Sequence, residues 1–221
     1  MPKIKNKNHL LKTDRLLAFS DGVLAIAITL LVLEIKIPKH ADIVNAGGLY
    51  NYLFFIWPSY LSYVVSFLII GIYWSNHNWL FTFIHKTNHI FNLIHIFFLM
   101  AVCFLPFISA ILGENILDPN YKNAATTAFC VGFFLPLFPL IILVFYAFHK
   151  HRLVPRNLNK KFMNRQISKL FAGGTLTIIA LALSFSHAYI SLGIIGLGIL
   201  IYLLPPDVPI YDPENVETEK F

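Results

Sequence analysis

The sequence predicts an all-α integral membrane protein with six transmembrane helices in each subunit. Hydrophobic residues make up 57% of the 221-residue chain and charged residues only 13%, whereas soluble domains carry about 25% charged residues. A membrane-spanning helix needs about 20 consecutive, mostly apolar residues. Four apolar runs of this kind occupy residues 16–36, 53–76, 90–112 and 124–148.

Polar or helix-breaking residues close these four runs in turn. Lys36 and Pro38 end the first run, the polar triplet at 76–78 ends the second, and Gly113 ends the third. A His-Lys-His-Arg sequence at 149–152 follows the fourth run. These boundaries predict four separate membrane crossings joined by polar connections.

The fifth and sixth helices are predicted from one long segment. Residues 170–204 contain no Asp, Glu, Lys or Arg. At about 1.5 Å of rise per residue this segment exceeds one crossing, so we expect two short helices divided near 184–187. Two prolines at 205 and 206 stop the sixth helix. We assign residues 1–206 to one transmembrane domain and expect the acidic tail 207–221 to be disordered.

The positive charges orient the six helices. All 17 Lys and Arg residues except Lys36, Lys39 and Lys122 fall on the side of the membrane that holds both termini. Because positive charges accumulate in cytosolic loops, we expect cytosolic termini and a plasma-membrane location. The basic segment 149–169 should contact anionic lipid headgroups. The basic residues lie between apolar runs, so the net charge of +6 does not indicate nucleic-acid binding.

The first predicted helix carries a narrow aliphatic stripe. At about 100° per residue, Leu30 and Leu33 fall within about 40° of Ile26, and Thr29 lies about 60° to one side. Two interpretations are open for this stripe. It could be ordinary lipid-facing or packing surface, since such spacing is common in membrane helices, or it could be the wall of a pore. Glu34, near the outer end, could attract cations at a pore mouth or pair with Lys36 or headgroups.

Asp21 lies about 140° away from this stripe and points to a different role. A carboxylate inside an apolar helix is costly and needs a partner. The second helix returns to the same side of the membrane, so its polar end lies level with Asp21. We expect a buried network that clamps the first helix to the second, formed by Asp21 with Arg15, Ser20, Trp74, Asn76, His77 and Asn78.

Other chemistries find little support in the sequence. No catalytic motif or glycine-rich phosphate loop occurs, so we do not expect an enzyme. His85 and His89 have helical spacing but no nearby cysteine, and we expect neither a metal site nor a cofactor. Cys103 and Cys130 lie in apolar runs and predict no disulfide. We expect His95, inside the third run, to make a satisfied polar contact rather than to relay protons.

The chain resembles the transmembrane protein 175 family, the endolysosomal potassium channels and their bacterial relatives. The resemblance is carried by Arg15, Phe19-Ser20-Asp21 and the following apolar run, and by the later segments Tyr73-Trp74 with His77, Asn92-Leu93 and 104–107. The R-x-x-x-F-S-D motif is the specific element, and the later segments are less so. One departure is that Asn78 and Trp79 follow His77 where the family has a second His and a basic residue.

This resemblance implies a homotetramer whose four first helices line a central pore for K⁺. Its constriction would be aliphatic, at Ile26, Leu30 and Leu33 with Thr29 beside them, instead of a carbonyl-lined filter. Phe19, Ser20, Asp21 and Arg15 would hold helix contacts. The absence of an internal sequence repeat also favours an axis made by several copies over a single-chain carrier.

Two main functions therefore stand as hypotheses. The first is a potassium-permeable channel gated by hydrophobic side-chain rings. The alternative is a proton-coupled secondary carrier in which Asp21, His77 or His95 titrates. A membrane-embedded assembly or sensor protein without a transport path is a third reading with little positive support. Unitary current steps separate a channel from a carrier.

Overall fold

The computed structural model describes residues 11–84, 86–203 and 207–212. Over these residues the fold is almost entirely helical. The helices are α1 (Asp14–Leu30), α2 (His40–Asn45), α3 (Leu49–Phe55), α4 (Trp57–Phe81), α5 (His89–Cys103), α6 (Leu105–Asn115), α7 (Lys122–Phe148), α8 (Lys160–Ser184) and α9 (Ala188–Tyr202). The 3₁₀ helices Leu31–Glu34 and His149–His151 continue α1 and α7. His85, Pro205, Pro206 and the tail beyond residue 212 lie outside the described residues.

Five helical segments of the described chain are long and apolar enough to cross a membrane. They are Asp14–Glu34, Trp57–Phe81, His89–Asn115, Lys122–His151 and Lys160–Ser184. The sixth, α9, is apolar but has only 15 residues, which is about 22 Å of helix against a hydrocarbon core of about 30 Å. The break before it lies at 185–187. The chain is thus a multi-pass membrane protein.

The third predicted helix differs from expectation because it is interrupted. The sequence predicted one helix over 90–112, and the structure has α5 ending at Cys103 and α6 beginning at Leu105. Pro106 stands in the first turn of α6. Proline has no backbone N–H to donate and is well accommodated in the first turn of a helix, which agrees with a break before Pro106 that ends α5 and starts α6.

The connection between α1 and α4 contains two helices that the sequence did not predict. α2 and α3 are short, and neither buries a residue within the subunit. Gly47 and Gly48 join them with φ angles of 74° and 130°, which glycine adopts far more readily than other residues. Hydrophobic periodicity predicted no helix in this connection because the two glycines divide it into runs too short to show a helical pattern.

α7 forms the centre of the subunit. Its side chains Phe129, Leu137, Leu140 and Leu143 are buried, and the helix packs against α4, α5, α6, α8 and α9. α7 approaches α6 closely at Gly132, where a Cβ would stand 2.8 Å from Ile108. The helices around α7 are therefore fixed relative to one another, and α1 packs on their edge against α4, α5 and α6.

A short antiparallel strand pair and the start of the tail close the same end of the bundle. β1 (Leu11–Lys12) pairs with β2 (Lys86–Thr87), with Leu11 opposite Thr87. Residues 207–212 differ from the expected disorder. The Asn159 amide donates to Ile210 O at 2.9 Å, and the Asp212 amide donates to Asn157 O at 2.8 Å. Backbone pairing of this kind orders an acidic segment that composition alone marks as disordered.

Candidate functional site

α1 has one packed face and one face that its own subunit leaves open. Leu24, Ala27 and Leu31 are at most 2% exposed, whereas Ile26, Leu30 and Leu33 are 60%, 42% and 72% exposed. The packed face lies against α4, α5 and α6. The residues of the predicted aliphatic stripe therefore point out of the subunit together, away from its core.

The 3₁₀ helix Leu31–Glu34 changes the geometry of this stripe at its outer end. A 3₁₀ helix has three residues per turn, so side chains at i and i+3 eclipse. Leu33 consequently stands in line with Leu30 along the helix instead of about 60° away. Between Gly22 and Leu33 the sequence contains no charged residue and no histidine, so this face offers an apolar wall rather than a set of ion ligands.

Thr29 is the polar residue beside the stripe. Its Oγ1 donates a 2.9 Å hydrogen bond to Ile26 O, one turn back in the same helix, and the side chain is exposed. Because the hydroxyl proton is used inside the helix, the oxygen keeps acceptor capacity toward the open side. Thr29 can thus accept a hydrogen bond from water or contact a cation on that side.

Asp21 is held by α4. The indole Nε1–H of Trp74 donates to Asp21 Oδ1 at 3.0 Å, and Trp74 is 45% exposed. The sequence grouped His77 with Trp74 as donors to this carboxylate. In the structure Asp21 accepts its hydrogen bond from Trp74, and His77 belongs to a separate buried group.

The buried group is a chain of three polar side chains from three helices. Ser20 Oγ of α1 lies 3.0 Å from His95 Nε2 of α5, which lies 2.8 Å from His77 Nε2 of α4. All three residues are 0% exposed. The chain ties α1 to both neighbours at one depth of the membrane, and it is the polar contact expected for His95.

One assignment of the Ser20, His95 and His77 protons gives each of these contacts one donor and one acceptor. Ser20 Oγ donates to Leu16 O at 2.6 Å, so toward His95 it acts as acceptor. The His95 Nε2–H is then shared between Ser20 Oγ and His77 Nε2, which places the His77 proton on Nδ1. Both Nδ1 atoms are buried and have no hydrogen-bond partner among the described residues. A single hydrogen thus joins the three helices.

The other predicted clamp residues lie outside these two contacts. Arg15 is exposed, and Phe19 is 57% exposed. Asn76 Nδ2 donates to Ile72 O within α4 at 2.8 Å, and Asn78 is half-buried. Their predicted part in holding helix contacts stays a prediction.

The outer end of α1 is tied to α6 by an ion pair. Lys36 Nζ lies 2.6 Å from Glu114 Oε1, with side chains 70% and 39% exposed. The hydrogen bond that Lys36 donates to Glu114 raises the pKa of Lys36 above its usual 10.5. Lys36 therefore pairs with Glu114 rather than with Glu34, which lies half-buried at the end of the 3₁₀ helix.

The sequence analysis predicted a polar contact for His95 but did not assign the residue to the clamp between the first two helices. The spacing of His77 and His95 along the chain could have predicted their contact. α4 and α5 are antiparallel neighbours joined by a short connection, His77 stands four residues before the end of α4, and His95 stands six residues after the start of α5. Two polar side chains at nearly equal distance from a hairpin turn lie at the same depth, which predicts contact between them.

Comparison with known proteins extends the motif resemblance to most of the chain. The family model described as "Endosomal/lysosomal potassium channel TMEM175" matches residues 15–106. A protein of Chamaesiphon minutus named as a potassium channel is 38% identical over 188 residues, covering 83% of this chain and 89% of that protein. A protein of a Chryseobacterium species, also named as a potassium channel, is 30% identical over 194 residues, covering 86% and 92%.

A vertebrate relative and a solved structure give two further comparisons. The proton channel TMEM175 of Gallus gallus is 33% identical over 138 residues, and the match spans 28% of that longer protein. The crystal structure of a lysosomal potassium-selective channel TMEM175 homolog from Chamaesiphon minutus matches with a TM-score of 0.77 and 35% identity, over 86% of this chain and 95% of the other. With sequence and fold both shared over most of its length, this chain belongs to the TMEM175 family of ion channels and is not an enzyme.

Proposed function

We propose that the protein is a potassium-permeable channel that conducts through a homotetramer. Four copies of α1 surround the axis, and Ile26, Leu30 and Leu33 form the constriction. The observation that carries this proposal is the two-faced packing of α1: its inner face is buried, while these three large aliphatic side chains are left open by the subunit. An apolar stripe left open at the edge of a subunit fits a surface that faces its own symmetry mates across an axis.

The chemistry of such a constriction is that of a hydrophobic gate. Rings of aliphatic side chains around a narrow pore exclude water, and an ion cannot cross until the ring widens enough to hydrate. Thr29, beside the rings, supplies a hydroxyl oxygen toward the pore, and Glu34 raises the local cation concentration at the outer mouth. The permeant ion K⁺ needs no resident cofactor.

Support for potassium comes from the relatives. The proteins of Chamaesiphon minutus and of the Chryseobacterium species carry the name potassium channel, and the matching crystal structure is that of a potassium-selective channel. The distribution of Lys and Arg favours cytosolic termini in the plasma membrane, with the basic segment 149–169 against anionic headgroups.

The proposal is tested by placing a polar side chain in the constriction. Ile26→Asn is expected to raise K⁺ conductance and lower the preference for K⁺ over Na⁺, because an amide lets the ring hold water. Ile178→Asn is the matched control: Ile178 is 52% exposed against 60% for Ile26, and it lies on α8. Single-channel recordings in planar bilayers give both quantities. Equal conductance and selectivity in wild type and Ile26→Asn would remove the stripe from the ion path.

Proton transport is the second candidate, and the buried chain Ser20–His95–His77 favours it. Imidazoles in contact can accept and pass protons, and the vertebrate relatives are named proton channels. The protein would then conduct protons, or use them as a proton-coupled carrier. A reversal potential that follows an imposed pH gradient identifies proton conduction. Saturable flux without unitary steps identifies the carrier.

A further inference from the structure

A cavity separate from the α1 face opens between α4, α8 and α9. Its volume is about 720 Å³ and its base is formed by α7, which falls in the range of about 300–1,000 Å³ of ligand pockets in proteins. The depth of the cavity is apolar, with Phe67, Leu68 and Leu176 among its walls, whereas one end carries Gln166 and Lys169. A cavity of this kind fits an amphiphile.

The cavity extends over about half of the membrane. From Gln166 to Leu176 it follows ten residues of α8, which is about 15 Å at 1.5 Å per residue, or half of a hydrocarbon core of about 30 Å. The polar end lies where α8 leaves the basic segment 149–169. The cavity therefore spans one leaflet, the one on the side of that basic segment.

The polar end already holds one oxyanion of the chain itself. The Asp207 carboxylate accepts from Lys169 Nζ at 2.7 Å and from Gln166 Nε2 at 2.9 Å, and it lies 3.4 Å from Arg165 Nε. Two cations face one carboxylate, which leaves an excess positive charge. An ammonium has three donors and a guanidinium five, so the pair can bind a second anionic oxygen or exchange Asp207 for one.

We infer that this cavity binds one anionic phospholipid from the leaflet on the side of the basic segment. An acyl chain lies along Phe67, Leu68 and Leu176, and the phosphate lies at Arg165 and Lys169, in competition with the Asp207 carboxylate. A free phosphate would leave the apolar depth unused, and a lipid without net negative charge would leave the cations unmatched. The site is independent of the ion path proposed for α1.

Two glycines give a matched test of the apolar depth. Gly71 lines the cavity, and a Cβ built on it meets no atom within 4 Å. Gly71→Leu therefore fills the cavity without a clash at the Cβ. Gly196, on α9, has the same open surroundings and the same intermediate burial but does not line the cavity. Gly196→Leu is the control for the helix and for exposed apolar area.

Charge variants test the polar end. Replacing both cations, as Arg165→Gln with Lys169→Gln, is expected to lower phosphatidylglycerol affinity about thirtyfold, because two basic residues near an anionic headgroup together contribute about 2 kcal/mol of attraction. Asp207→Asn removes the competing carboxylate and is expected to raise that affinity. Lys160→Gln with Lys161→Gln, on the exposed first turn of the same helix, controls for general surface attraction.

The measurement is native mass spectrometry of the full chain in detergent, titrated with phosphatidylglycerol or phosphatidylcholine. We expect the wild type and Gly196→Leu to retain one phosphatidylglycerol per chain in preference to phosphatidylcholine, and Gly71→Leu to lose it at unchanged oligomer mass. Three results would overturn the inference. They are undiminished retention by Gly71→Leu, an equal loss in the Lys160 and Lys161 variant, and a lipid-free wild type whose oligomer dissociates on Gly71→Leu, which would assign the cavity to a second copy of the chain.

Discussion

Trp74 donates its indole N–H to the carboxylate of Asp21 at 3.0 Å, and the residue next to Asp21 in sequence makes an entirely different contact. Ser20 turns into the subunit and joins His95 and His77 at 0% exposure. Two consecutive side chains of α1 thus attach the helix to its neighbours, one at the edge and one in the core. This double attachment holds α1 against rotation while its opposite face stays open.

The hydrogen bond between Trp74 and Asp21 can be removed while an aromatic side chain is kept at position 74. Trp74→Phe deletes the N–H donor, and we expect a loss of about 1 kcal/mol in the free energy of unfolding, a typical net value for one hydrogen bond. Trp57→Phe is the control, because Trp57 is 50% exposed and donates no indole hydrogen bond to a described residue. Unfolding in mixed detergent followed by circular dichroism gives both values. Equal stability of the two variants would show that the Asp21 contact contributes nothing.

The buried contact between Ser20 and His95 can be tested against a second buried serine, Ser66, as the control. Ser20→Ala removes an oxygen that His95 contacts at 3.0 Å, and we expect a loss of about 0.6–1.7 kcal/mol, the range of hydrogen bonds between membrane helices. Ser66 is also 0% exposed, but its Oγ has no partner among the described residues. Ser66→Ala should therefore be neutral or stabilising. The same detergent unfolding measures both, and a loss in Ser20→Ala no larger than that in Ser66→Ala would show that the Ser20 contact contributes nothing.

Gly113 sets the distance between α6 and the start of α4. A Cβ there would stand 2.8 Å from the backbone Cα of Ser59, which cannot move aside as a side chain does. We expect Gly113→Ala to cost about 1–3 kcal/mol by overpacking. Gly193→Ala, on α9, meets no atom within 4 Å and should not destabilise. Thermal unfolding of the two variants side by side tests the close approach.

The attachment of residues 207–212 depends on pH through Asp207. Hydrogen bonding from Lys169 holds the pKa of Asp207 below its usual 3.8, so the ionised form stabilises the folded arrangement. This stabilisation is complete above the usual pKa and is lost as the pH falls through the lower folded value. Hydrogen exchange at the Asn159 and Asp212 amides should show protection that falls only in acid.

Asp207→Asn removes this acid-dependent part of the protection. Its control is Asp118→Asn, a half-buried residue between α6 and α7 whose carboxylate accepts from the nearby Asn120 amide, and this change should leave the exchange of the Asn159 and Asp212 amides unchanged at every pH. Protection that falls equally in acid with asparagine at position 207 would assign the pH dependence to another group.

Much of α1 was predictable because its information is local. The apolar run, the R-x-x-x-F-S-D motif and the angular position of Ile26 all follow from spacing along one helix, and the family inferred from them is confirmed by the comparisons. The side chains that the wheel places opposite Ile26 are the buried ones. The apolar runs likewise predicted the long helices α4 and α7. The fifth helix was predicted as a short one within 170–204, and α8 instead begins at Lys160 and has 25 residues.

What could not be predicted depends on which helices meet. The packing of α1 against α4 and α5 decides that Asp21 accepts its hydrogen bond from Trp74 and that Ser20 contacts His95. The pairing of Lys36 with Glu114 joins residues far apart in sequence. The cavity beside Gly71 exists because four helices surround a space, and no periodicity within one helix reports that space.

The four residues Leu31–Glu34 give the outer end of α1 a property that a uniform α-helix lacks. A 3₁₀ helix rises about 2.0 Å per residue and an α-helix about 1.5 Å, with about 120° and 100° of turn. Each residue that passes from the 3₁₀ form to the α form therefore shortens the segment by about 0.5 Å and changes its twist by about 20°. The length and the twist of this segment therefore change together. Conversion of the 3₁₀ segment to an α-helix rotates Glu34 about the helix axis and moves it toward the centre of the membrane.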